Sequence, residues 1–308
     1  MKTSVNIKGN GITILWVTIM LCIITGACEK EVKNMRVPVE EPKLIAYSIL
    51  IKDSSIRAYI GQSVGILDFR YDTDYTVTNA DVTLSVNGRD VEKPVYDPAT
   101  HYYVFNTRAT AGAQYNLTVS AASFKPVQAT TTIPAYLPIT DVKFTPKARV
   151  ITTDKDDNLI LHKVHFSFND PAATEDYYII KMFGENGLVL DEVYVLDPSI
   201  DNEPDDDLLG LQNEKLSSKY GIFLNDKLFN GTTKTLSVYY PIWLGRPGYL
   251  ELQRVTKDYY RYGLSLDQMS KRVGAVKLFT EPANVIGNVS NGYGVLGGSS
   301  MDRRRIKY

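Results

Sequence analysis

Few residues in this chain of 308 have the types and spacing for chemistry. Gly61-Gln62-Ser63-Val64-Gly65 matches G-x-S-x-G, the turn that exposes a nucleophilic serine where a strand passes into a helix. Residues 66–71 continue a strand pattern instead, so a hairpin turn accounts better for Ser63. Gly292 to Gly297 carries G-x-G-x-x-G, the pyrophosphate turn of dinucleotide folds, which works with a following helix, strand and acid. With Tyr308 so close behind, the expectation is a glycine-rich loop. Asp154-Lys155-Asp156-Asp157-Asn158 sets oxygens at the first, third and fifth positions of a calcium loop, but Leu159 stands in the glycine position and His165 in that of the bidentate acid. Solvated turns are expected there and at Asp205-Asp206-Asp207. His162 and His165, three apart on a strand, point to opposite faces and do not share a metal. His101 stands apart from both. The expectation is therefore no enzyme, no metal and no cofactor, with a hydrolase acting through Ser63 ranked last.

Composition narrows the classes further. Lys and Arg number 34 against 35 Asp and Glu, a balance without the electrostatic footprint of a nucleic-acid partner. Arg303-Arg304-Arg305 is expected to be solvated. The only cysteines are Cys22 and Cys28, which exclude a disulfide framework or a cysteine-rich zinc site. Lys2 and Lys8 precede an apolar run, Ile12 to Ile24, that ends in Thr25-Gly26-Ala27-Cys28, the layout of an export signal. The run falls short of the about twenty residues of a spanning helix. Small residues before Cys28 look like the lipobox of bacterial lipoproteins, in which the cysteine is acylated, although Thr25 stands where leucine is commonest. Several acyl chains, at about 0.8 kcal/mol per buried methylene, hold a protein to a membrane without any spanning helix.

The elements that follow read as mostly β, in keeping with 21 tyrosines. Residues 1–27 are the signal and 28–43 a polar tether of about 50 Å at full extension. Strand patterns at 44–51, 54–60, 64–69, 82–86, 102–105, 115–120 and 127–133, with turns such as Asn87-Gly88, predict an immunoglobulin- or fibronectin-like sandwich over 44–134. Beyond the stiff Pro134 to Pro138 linker, residues 139–308 read as a second antiparallel β domain, with strands at 159–169, 177–183, 188–196, 234–240 and 249–256. One helix is expected over 258–272, capped by Asp258 and packing through Tyr259, Tyr262, Leu266 and Met269. Tyrosine pairs such as Tyr177-Tyr178 offer stacking surfaces, but neighbours on a strand are expected to split between core and surface.

Several segments resemble a family of Bacteroidetes lipoproteins defined by the domain of unknown function 4249. They are Phe168-Asn169-Asp170-Pro171, Asp176-Tyr177-Tyr178, Leu228-Phe229-Asn230-Gly231, Thr256 to Tyr262, and Phe279 to Val285 with Asn288 and Asn291 to Gly297. Ala80 to Leu84 and Thr131-Thr132-Ile133-Pro134 fit as well. The resemblance implies a lipoprotein of the outer envelope whose relatives accompany TonB-dependent outer-membrane receptors, and it brings no catalytic residues or ligand. The expectation is a lipid-anchored outer-membrane protein, attached through Cys28, that captures a ligand for such a receptor or assists its assembly. Asn288, Asn291 and Tyr293 are the candidate ligand residues, with a structural corner as the competing account. A surface adhesion or interaction protein is the alternative.

Overall fold

Alternation of apolar and polar side chains builds most of the chain. The computed structural model describes residues 41–307, except 66–67, 153–157, 203–214, 218 and 275–283. Cys28, Asp154 to Asp157 and Asp205 to Asp207 lie outside the described residues. The strands of the first half are β1 (Leu44–Ile51), β2 (Ser55–Gln62), β3 (Asp81–Val86), β4 (Arg89–Glu92), β5 (Val95–Asp97), β6 (Tyr102–Arg108), β7 (Gln114–Ser120) and β8 (Val127–Thr132). Those of the second are β9 (Thr140–Thr152), β10 (Asn158–Asn169), β11 (Tyr177–Gly184), β12 (Glu192–Tyr194), β13 (Lys215–Ser217), β14 (Ile222–Asn225), β15 (Thr233–Pro241), β16 (Pro247–Val255) and β17 (Tyr293–Arg305). One α-helix, α1 (Lys257–Gly274), stands among the described residues, and the fold is mostly β with several antiparallel sheets.

Eight strands form one sheet in the order β14-β11-β16-β17-β1-β2-β6-β5, beside a five-stranded sheet β13-β12-β15-β10-β9 and a four-stranded sheet β4-β3-β7-β8. The four-stranded sheet faces one half of the large sheet around Leu44, Ile60, Val82, Phe105 and Val119, giving a sandwich. The five-stranded sheet faces the other half around Phe166, Phe168, Tyr178, Leu224 and Leu252. Strand β17 joins the two cores: it lies parallel to β1, Ile45 opposite Tyr293, and antiparallel to β16, Tyr249 opposite Arg305. Leu296 belongs to the first core and Ile306 to the second, so one sheet runs past the linker at Pro134 to Pro138.

The outer face of β11 and β14 is covered by α1 through Tyr177, Ile179, Phe223, Val255 and Tyr260. Burial on both faces of β11 explains why Tyr177 and Tyr178 are both buried instead of splitting. The helix departs from expectation at two points. Thr256, not Asp258, precedes its first residue, and the Thr256 carbonyl accepts from Tyr260 N at 2.9 Å. Its most buried positions are Tyr260, Gly263, Ser265 and Asp267, while Tyr259, Tyr262, Leu266 and Met269 are half-buried. Gly263 allows this because a Cβ there would lie 2.8 Å from the Phe223 ring. Asp267 is held by Asn202 and Lys271, each at 3.0 Å. A pattern of apolar residues registers neither contact.

Other expectations are corrected too. Residues 63–65 and 68–70 form no strand, and Phe69 instead stacks on Tyr75 and meets Tyr71 edge-on. Only β12 forms within 188–196. The last part of the glycine-rich segment is strand β17; Arg303 to Arg305 at its end are exposed, as expected, with Arg303 donating to Glu251 at 3.0 Å and Arg304 to Asp302 at 2.8 Å. No helix among the described residues is long and apolar enough to cross a membrane.

Candidate functional site

Where the first sandwich passes into the second, three distant segments meet. A groove of about 560 Å³ is lined by Thr131, Thr132, Pro134 and Ala135 at the end of β8 and just after it, by Thr174 to Tyr177 where the chain enters β11, and by Arg254 to Asp258, where β16 turns into α1. The antiparallel pairing of β11 with β16, Tyr178 opposite Arg254, sets Arg254 beside the loop that carries Asp176. Nε of Arg254 donates to Asp176 Oδ1 at 2.8 Å, and Nη2 donates to Asp176 Oδ2 at 2.8 Å and to Thr174 Oγ1 at 2.9 Å. This forked geometry fixes the guanidinium plane. At the rim, Lys257 donates to Glu175 at 3.3 Å and lies 5.5 Å over the Tyr177 ring, whose hydroxyl donates to Glu175 at 2.5 Å. These contacts lower the Glu175 carboxyl, mainly through the Tyr177 hydroxyl, and raise the Lys257 amine.

Behind the groove the same loops are tied by carboxylates. Asp170, Asp176 and Asp226 are all buried, with oxygens within 4.8 Å of one another. Asp170 accepts from the Tyr178 hydroxyl and from Gly231 N at 2.8 Å. Asp226 accepts from Asp176 N at 2.8 Å, and its own N–H donates to the Asp176 carbonyl at 3.1 Å. Gly231 has φ +73°, and a Cβ there would stand 2.6 Å from Ala172 Cβ. Burial pushes the Asp226 carboxyl up, opposed by the hydrogen bond from Asp176 N and reinforced by repulsion from Asp170 and Asp176. Each of the three carboxylates accepts a hydrogen bond from the protein, so the cluster works as a fastener of the 170–176 and 226–232 loops.

The candidate residues from the sequence lie elsewhere. Asn288 donates to Asp258 and to the Leu296 carbonyl, each at 3.0 Å, and accepts from Leu296 N at 2.9 Å, binding the start of α1 to β17. Asn291, at φ 58°, donates to the Pro126 carbonyl at 3.3 Å. Tyr293 is 44% exposed and accepts from Lys43 Nζ at 3.3 Å. Glycines make the corner close: a Cβ on Gly294, at φ +112°, would sit 2.0 Å from the Ala46 carbonyl oxygen, and one on Gly297 would sit 2.6 Å from Tyr259 Cβ. The G-x-G-x-x-G match is therefore a backbone crossing inside a sheet. Ser63 Oγ accepts from Lys43 N at 2.9 Å, beyond the end of β2. His162 accepts from Lys147 N at 3.1 Å and packs between Phe144 and Tyr240, while His165 meets Ser237 at 3.1 Å. His101 pairs with Asp74 at 3.1 Å.

The groove and its fastener are thus built from Asp170, Asp176-Tyr177-Tyr178, Gly231, Thr131-Thr132 and Thr256-Lys257-Asp258, all within the segments quoted for the family resemblance. A family model, the domain of unknown function DUF4249, matches residues 30–305. The chain belongs to this family. No curated protein matches the sequence. Two residues of the groove and its fastener, Arg254 and Asp226, lie outside those segments. Arg254 carried one signal, a lone arginine within an otherwise strand-like run.

Proposed function

We propose that this DUF4249 chain is a lipid-anchored protein of the outer membrane, attached through Cys28, that serves a TonB-dependent receptor as a non-catalytic accessory by ligand capture or receptor assembly. The observation that carries the reading is the groove between the sandwiches, where segments far apart in sequence present fixed, mutually paired polar groups. Such an arrangement suits recognition, since a concave site with a few oriented polar groups discriminates ligands, while its carboxylates and cations are already neutralised by one another. The alternative of adhesion through sheet edges has less support. The 13-residue edge strand β9 is interrupted by Pro146 and by left-handed Asp141 and Lys147, devices that discourage strand addition.

The test is purification of the intact lipoprotein from native membranes, in parallel with Lys257→Glu and Thr132→Arg, two changes at the groove rim. A TonB-dependent receptor recovered with the native chain and lost with the rim variants is the expected result. Repeated recovery of the native chain with no receptor overturns the reading.

A further inference from the structure

The end of the first sandwich from which the chain leaves toward Cys28 differs from the rest of the surface. Four segments converge there. Lys43 and Ser63 are joined by Ser63 N donating to the Lys43 carbonyl at 2.8 Å. Asn291 reaches the Pro126 carbonyl at 3.3 Å, and Lys43 Nζ donates to the Tyr293 hydroxyl at 3.3 Å. The loop after Ser63 returns with Gln62 N donating to the Tyr75 carbonyl at 3.0 Å. On this tip Phe69 is 44% exposed, Tyr71 99% and Tyr293 44%, with Phe69 and Tyr71 in edge contact at 5.1 Å. Arg70, Lys43 and Lys125 stand among them, against Asp68, Asp72, Asp74 and Glu41.

We infer that this tip seats in the phospholipid headgroup layer of the membrane that holds the anchor, with Phe69, Tyr71 and Tyr293 at the boundary between headgroups and acyl chains. The inference rests on the lipid-anchored reading above and adds an orientation to it. Tyrosine rings, apolar with one wet end, favour that boundary, and the wholly apolar Phe69 ring favours its acyl-chain side. Connectivity identifies which tip is near. From Cys28 to Glu41 the chain spans at most about 45 Å. The opposite tip, where Trp243 is 62% and Leu188 68% exposed, lies beyond the far end of β17, about 40 Å away along that strand. Reaching the membrane with that tip would require the tether to lie straight along the whole protein. The four acids on the near tip outnumber its three cations, so the contact depends on the aromatic rings and not on anionic lipid. Seated this way, the groove at Thr131 to Ala135 opens at the other end of β8, clear of the bilayer.

The sequence supplies a matched pair of reporters, because Trp16 lies in the signal and leaves Trp243 as the one tryptophan downstream of Cys28. The lipidated full chain and its Trp243→Phe/Tyr71→Trp variant are placed in phosphatidylethanolamine vesicles containing brominated acyl chains, with and without phosphatidylglycerol. The expected result is loss of most emission from residue 71, little change at Trp243, and the same outcome in both lipid mixtures. Quenching of Trp243 without residue 71, or of neither in a chain whose mass shows lipid on Cys28, overturns the orientation and leaves the anchor standing. Dependence on phosphatidylglycerol overturns the aromatic basis. Absence of lipid on Cys28 by mass spectrometry removes the anchor itself and the inference with it.

Discussion

Two junctions hold this protein together, and they use opposite chemistry. The corner where β17 enters beside β1 is built by removing side chains: Gly287, Gly292 and Gly294 let backbones approach closely, and Asn288 supplies the missing hydrogen bonds. The fastener behind the groove is built by burying charge, with Arg254, Asp176, Asp170 and Asp226 holding two loops against β11 and β16. The first tolerates no added atom, and the second tolerates no missing partner. Close backbone contact fails by steric overlap, which nothing nearby relieves. Buried charge fails by desolvation, which a change of protonation relieves in part.

That difference orders the expected effects. Gly294→Val is expected to be the most damaging, because its Cβ would overlap the Ala46 carbonyl and its backbone lies at φ +112°. The expected loss is about 4 kcal/mol or more, enough to abolish cooperative unfolding in denaturant titrations. A wild-type midpoint would show that β1 and β17 shift apart freely. Arg254→Ala comes next, leaving the 5%-exposed Asp176 without its guanidinium. A loss of about 3–5 kcal/mol is expected, read as a lower urea midpoint at unchanged slope. A loss below about 1 kcal/mol would mean that water reaches Asp176.

The two junctions also differ in how far the sequence reveals them. Elements with one buried face were readable: β1 runs over Leu44–Ile51 as its alternation predicts, and β15 and β10 extend the expected segments by a residue or two. Strand β17 was not, because its glycines, chosen for contact with Ala46, Tyr259 and Ile133, have low strand propensity and turn-like spacing. Strand β9 hid behind Pro146 and an unalternating polar edge. At the fastener, Asp170 and Asp176 stood in noticed segments, but the meeting of Asp176 with Arg254 depends on the pairing of β11 with β16, which no local pattern encodes. The tyrosine excess has a partial account that only register provides: Tyr47 lies opposite Tyr59, with Tyr102 6.1 Å from Tyr59 and Tyr262 5.9 Å from Tyr47, as one row across the sheet and onto the helix.

Asn288→Ala sharpens the corner's side of the comparison. It removes the acceptor of Leu296 N and a donor to Asp258 and to the Leu296 carbonyl; Leu296 is buried, while Asn288 and Asp258 are half-exposed and water replaces part of what is lost there. A loss of about 2 kcal/mol is expected, with hydrogen exchange accelerated at Leu296 and in the first turn of α1. Asn288→Asp keeps the acceptor but places a carboxylate beside Asp258, so it should recover only part of the loss. Full recovery would mean that the Asp258 contact contributes nothing.

Asp226→Asn gives the smallest effect and separates the junctions by pH. The native carboxyl of Asp226 is raised above the ordinary aspartate value, about 3.9 in an unfolded chain. Between those two values the native state binds the additional proton, so stability from this group is complete below about pH 3.9 and declines as pH rises through the native value. Asparagine keeps an oxygen to accept from Asp176 N and removes repulsion with Asp170 and Asp176. The variant should therefore match the native protein near pH 3.5 and exceed it near pH 7 by about 2 °C in Tm. The Asn288→Ala difference, lying in a junction without a buried carboxylate cluster, should stay constant over the same range. A neutral-pH loss for Asp226→Asn would show that its ionised carboxylate holds the loops, and the contrast between a steric corner and a titratable fastener would then fail.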